Sequence, residues 1–103
     1  MHKTEKSSGN GFINHQEYQK LQVHTTTILK NYGYEGLILC GDSGMPKIMK
    51  VFNFDDPYNT ELGPGWDDFY RCNKFDAGER IIFRFNVSSR IKICHVYRFP
   101  YYG

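Results

Sequence analysis

The sequence predicts a mainly β domain, built as an open, mostly antiparallel barrel with two short helices. Three observations carry this. Strand-like runs recur along the chain with turn residues between them, and two helix-like segments interrupt the series. Eight Tyr and eight Phe bring the aromatic content to 17%, and flat rings pack well on a pleated surface. At 103 residues there is room for one core, which would bury roughly 60–70% of the unfolded surface.

The elements follow in order. Met1 to Asn10 is polar and carries Gly and Ser, so it reads as a disordered lead-in to a single domain over 11–103. Gly11 to Asn14 opens a short strand with Phe12 and Ile13. His15 to Lys20 is a polar, hydrogen-bond-rich stretch, and Leu21-Gln22-Val23 alternates as a strand does. Thr25 to Tyr32 fits a short helix capped by Thr25, buried through Ile28 and Leu29, and ended by Gly33. Gly36 to Cys40 reads as a buried strand. The turn 41–44 joins it to a return strand, Pro46 to Phe52, giving a hairpin.

Asn53 to Gly65 holds two Pro and two Gly and is long for a hairpin connection, a length that often marks function. Trp66 to Asn73 fits a second helix, with Asp67 and Asp68 in the first turn where the helix dipole favours anions. Trp66, Phe69 and Tyr70 fall at i, i+3 and i+4 and face the core. Arg80 to Phe85 places Ile81, Phe83 and Phe85 on one face of a strand, and Ile91 to Phe99 closes the last hairpin.

Several function classes lack their residues. There is no nucleophile elbow, phosphate loop or zinc-protease motif. Cys94 and His95 are adjacent, but strand neighbours point to opposite faces, so they do not form a nucleophile–base pair. Cys40, Cys72 and Cys94 are widely spaced and read as buried reduced thiols of an intracellular protein, not as a zinc site or a disulfide framework. No apolar run approaches the ~20 residues of a membrane helix, and Met1 to Asn10 holds no signal-peptide stretch. Asn86-Val87-Ser88 matches a glycosylation acceptor by chance. The chain is expected to be a binding domain without catalytic residues, metal or cofactor.

Charge is uneven. Residues 1–50 carry +2, residues 51–79 carry −5, and residues 80–103 carry +5. A basic final third beside an acidic middle either points one face at a polyanion or neutralises itself across the surface.

Gly65-Trp66, Phe69, Asn73, Phe75, Gly78-Glu79 and Phe83 together form a pattern that resembles the plant B3 DNA-binding domain family. Upstream, Leu21 to His24 falls where that family has its Leu-x-Ile-Pro stretch, and Ser43-Gly44 falls in its hairpin turn. The resemblance spans residues 12–99 and implies a seven-stranded DNA-binding pseudobarrel with two short helices. It also implies a nuclear transcription-factor domain that grips double-stranded DNA in the major groove with two arms. The first arm would be Asn14 to Lys20, with Asn14, His15, Gln16, Tyr18, Gln19 and Lys20 at the DNA. The second would be about Lys50 to Thr60, with Lys50, Asn53, Tyr58, Asn59 and Thr60. Amide side chains suit adenine edges, and Lys suits phosphate or guanine. Other transcription-factor domains are further expected partners; no membrane or small-molecule substrate is implied.

This chain departs from the family pattern at His24, where Pro is usual, and at Glu79, where Asp is usual. Its second arm carries Asp55, Asp56 and Glu61 and has no Arg. Acids beside phosphate subtract from the counterion-release contribution to affinity. The alternative is therefore a protein-interaction module on the same fold, using that loop and the aromatic tail Tyr97, Phe99, Tyr101 and Tyr102.

Overall fold

A computed structural model describes residues 6–42, 45–86 and 90–100. Among them run seven strands and two helices: β1 (Lys6–Phe12), β2 (Gln19–Lys20), α1 (Val23–Asn31), β3 (Gly36–Cys40), β4 (Lys47–Phe52), β5 (Glu61–Gly63), α2 (Trp66–Cys72), β6 (Arg80–Asn86) and β7 (Ile93–Arg98). The strands form one sheet in the order β1-β6-β7-β3-β4-β5-β2. Neighbours are antiparallel except β3 and β7, which run parallel. The sheet curls into a half-barrel whose two edge strands, β1 and β2, share no ladder. The expected mainly β barrel with two short helices is the fold observed.

Alternation fixes what the barrel encloses. Ile81, Phe83 and Phe85 of β6 are buried, as are Leu37 and Leu39 of β3 and Cys94 and Val96 of β7. Ile28 and Leu29 of α1 join them, with Trp66, Phe69 and Tyr70 of α2. The Trp66 ring lies 5.2 Å from Phe69 and 6.3 Å from Phe83, so α2 plugs an aromatic cluster against β6. Asp67 in its first turn pairs with Arg71 at 3.3 Å, as i, i+4 spacing allows. The residues that carry the family resemblance are thus mainly scaffold: Trp66, Phe69, Asn73, Phe75 and Phe83 are all buried.

Three expectations are corrected. The lead-in over Met1–Asn10 is not disordered throughout: Lys6 to Asn10 belongs to β1 and pairs with β6 from Lys6↔Asn86 onward. Residues 1–5 lie outside the described residues. Lys6 to Asn10 holds only polar residues and Gly, so no apolar alternation announces this strand. Gly9 faces α1 so closely that a Cβ there would collide with the Thr25 side chain. Next, Leu21 to Val23 is not a strand. The ladder with β5 covers Gln19 and Lys20 and ends with Leu21 N donating to Thr60 O at 2.9 Å. Last, Thr25 does not cap α1. The helix starts at Val23 after Gln22, which supplies no capping side chain. Thr25 is buried and donates its hydroxyl to Asn10 O at 3.3 Å. Contact with β1 overrides local cap preference here. The turn at Ser43-Gly44 and the Asn86-Val87-Ser88 acceptor fall wholly or partly outside the described residues.

The charge blocks partly cancel. Arg98 meets Glu79 at 2.8 Å and Asp42 at 3.8 Å. Arg80 stacks on the Phe99 ring at 4.0 Å, and Lys92 lies 4.8 Å from the Tyr34 ring. Glu79 also accepts from Asp76 N at 3.0 Å and so fastens the turn that feeds β6.

Candidate functional site

The first arm, between β1 and β2, is held from beneath. Gln19 is 1% exposed. Its amide nitrogen donates to Phe12 O and Lys20 O, both at 2.8 Å, and its oxygen accepts from Asn14 N at 3.0 Å. It thereby bridges the ends of the two edge strands and uses its whole amide in doing so. Asn14 works alongside: Nδ2 donates to Tyr18 O at 2.6 Å, and Oδ1 accepts from Lys20 N at 3.2 Å. The Asn14 carbonyl accepts from the Trp66 indole N–H at 3.0 Å, tying the arm to the core.

His15 stacks on Tyr70 with ring centroids 4.2 Å apart and donates Nε2–H to Phe75 O at 3.0 Å. Tyr18 meets Phe52 edge-on at 5.8 Å. It also lies over Gly63, whose φ is +152° and where a Cβ would come within 2.7 Å of the Tyr18 ring. Gln16 and Lys20 are exposed.

The second arm is the loop from β4 to β5. Thr60 is 0% exposed. Its hydroxyl lies 3.0 Å from Asn53 O and 3.2 Å from Asp56 O. Asp56 organises the rest, since its carboxylate accepts from Tyr58 N at 3.2 Å and from Asn59 Nδ2 at 2.6 Å. Asn53, at φ 65°, donates Nδ2–H to Asn59 O at 3.3 Å. Tyr58 is 71% exposed. Lys50 sits within β4, on the exposed face that also carries Ile48 and Phe52.

Two of the expected DNA-facing residues are therefore corrected. Gln19 and Thr60 are buried, and their side chains are spent on hydrogen bonds that shape the arms. Asn14 is half-buried and hydrogen-bonded within the arm, whereas His15 is exposed at one edge while it stacks on Tyr70. Gln16, Lys20, Lys50, Asn53, Tyr58 and Asn59 remain exposed. The acids of the second arm also gain a meaning: Asp56 is a structural acceptor. Replacing it with Ala is expected to speed amide exchange at Tyr58 by about tenfold with little change in global stability, measured by hydrogen exchange.

The arms border one groove of about 440 Å³, lined by Phe12, Asn14, Gln19, Lys20, Leu21, Gln22, Val23 and Tyr58. Sequence reasoning missed Phe12, Leu21, Gln22 and Val23 as site residues. Val23 reads in sequence as a strand partner of Leu21, and only the helix start turns it outward. Glu61 is the cross-strand neighbour of Lys20 and tempers its charge.

Of the three thiols expected to be buried, only Cys94 is; Cys40 is half-buried and Cys72 exposed. Burial pushes the Cys94 thiol well above the ordinary range, while His95 is exposed. Among the described residues no three His, Cys, Asp or Glu side chains converge as metal ligands do, and no helix is long and apolar enough to cross a membrane.

The architecture defines an open β pseudobarrel with two arms at one end of the sheet. A solved structure of the hypothetical Arabidopsis thaliana protein At1g16640.1 shares it, with a TM-score of 0.62 over 97% of this chain and 98% of that one, at 13% identity. At that identity the likeness is one of fold. No family model and no curated protein matches the chain.

Proposed function

We propose that this chain is a B3-type DNA-binding domain of a plant transcription factor, nuclear, gripping double-stranded DNA in the major groove with its two arms. The observation that carries the reading is their convergence: Lys20 from the first arm and Tyr58 from the second border one groove. The fold shared with an Arabidopsis protein and the Gly65 to Phe83 pattern support it. Lys20 and Lys50 are suited to phosphate, and Gln16, Asn53, Asn59 and Tyr58 to base edges. Asn14, Gln19 and Thr60 position the arms. The domain acts by binding and not by catalysis, with other transcription-factor domains as further partners.

Fluorescence anisotropy with random duplexes at low and physiological salt tests this. Lys20→Ala is expected to weaken binding to all sequences and to lower the salt slope by about 0.9, because one phosphate is no longer neutralised. Unchanged affinity at low salt would place the phosphate-binding cation elsewhere.

A second reading rests on a different surface. Ile38 pairs with Ile48 on β4 and with Ile93 on β7, so three isoleucines cross the outer face in one row. Ile48 is 80% exposed. That row suits a protein partner. The aromatic tail does not supply the same argument: Phe99 lies under Arg80, Tyr97 stacks with His95, and Tyr101 and Tyr102 lie outside the described residues. No duplex binding at low salt would favour this reading.

A further inference from the structure

The groove between the arms is more apolar than phosphate binding requires. Phe12, Val23 and Tyr58 line it, are exposed, and take no part in the hydrophobic core. Leu21 adds a buried floor. Lys20 is the one charged residue in the lining. The N-terminus of α1 opens beside it, with no capping side chain from Gln22 and no acid in its first turn, so the helix dipole adds unshielded positive potential. An apolar bed under a cationic rim fits an anion that carries an apolar group close by.

A duplex held by both arms would lie across this groove. The major-groove edge of DNA has one aliphatic substituent, the C5 methyl of thymine. We propose that Phe12, Val23 and Tyr58 form a receptor for the 5-methyl group of a pyrimidine, with Lys20 and the α1 N-terminus facing the adjoining phosphate. The proposal rests on the DNA-binding reading and adds a source of sequence preference that no hydrogen-bonding side chain supplies. Cytosine lacks the methyl group, and 5-methylcytosine restores it.

The test uses the whole chain and a duplex selected from a random pool at low salt. Each thymine is replaced in turn by deoxyuridine, and each cytosine by 5-methylcytosine. At one position, loss of the methyl is expected to weaken binding about fourfold, the worth of one buried methyl group. Phe12→Ser and Val23→Ser, both at exposed positions, should each shrink that penalty while leaving the fold intact by circular dichroism. A duplex that binds but is indifferent to every methyl overturns the receptor and leaves DNA binding standing. A penalty that survives both variants also overturns it, since the methyl is then read elsewhere. Absence of any duplex binding removes the DNA reading itself and the receptor with it.

Discussion

Trp66→Ala is expected to destabilise the domain by about 4 kcal/mol, as truncation of a buried aromatic does. The indole is fully buried, beside Phe69 and Phe83. Its loss leaves a large cavity in a domain whose total stability is on the order of 5–15 kcal/mol. A second effect follows from the indole N–H, which holds Asn14 O at 3.0 Å. Without it the first arm loses its tie to the core. Trp66→Phe separates the two: it keeps most of the ring and should cost about 1–2 kcal/mol, while still loosening the arm. Urea denaturation followed by circular dichroism measures the stability, because Trp66 is the sole tryptophan and its fluorescence disappears with it. Hydrogen exchange at Asn14 and Lys20 reads the arm. Equal exchange in Trp66→Phe and the parent would show that the indole bond does not hold the arm.

Gln19→Leu is expected to cost about 3 kcal/mol. The substitution keeps size and shape but removes three hydrogen bonds from a site 1% exposed. Each such bond is worth about 1 kcal/mol, and more where a partner is left buried and unpaired. The damage should concentrate where β1 meets β2, since Gln19 is what joins the ends of those edge strands. A fall in denaturation midpoint with faster exchange at Asn14 is the expected pair of results. A variant as stable as the parent would mean that other interactions close the barrel.

Trp66 and Gln19 also illustrate what could be read from the sequence. Trp66, Phe69 and Tyr70 recur at helical spacing, and spacing alone is enough to give them a buried face. Ile81, Phe83 and Phe85 alternate, and every one of them is buried. Gln19 shows the opposite case. A polar residue in a polar stretch reads as a surface group, and its hydrogen-bond partners, Phe12, Asn14 and Lys20, become its partners only when the barrel curls. Thr60 misleads in the same way. β5 is hidden as well: Glu61–Gly63 is three residues long and sits among Pro and Gly, too short for any alternation to register.

By itself the sequence determined the fold class, the strand character of β3, and the inward faces of β6 and α2. Those properties follow from local periodicity and turn chemistry, which need no distant partner. Only the tertiary structure decided that Lys6 to Asn10 belongs to a strand, that Gln19 and Thr60 are buried, and that Phe12, Val23 and Tyr58 line one groove with Lys20. The reason is physical. Edge pairing, buried amides and shared grooves depend on atoms far apart in the chain, and a one-dimensional pattern records neither their distance nor the direction in which a side chain finds its partner.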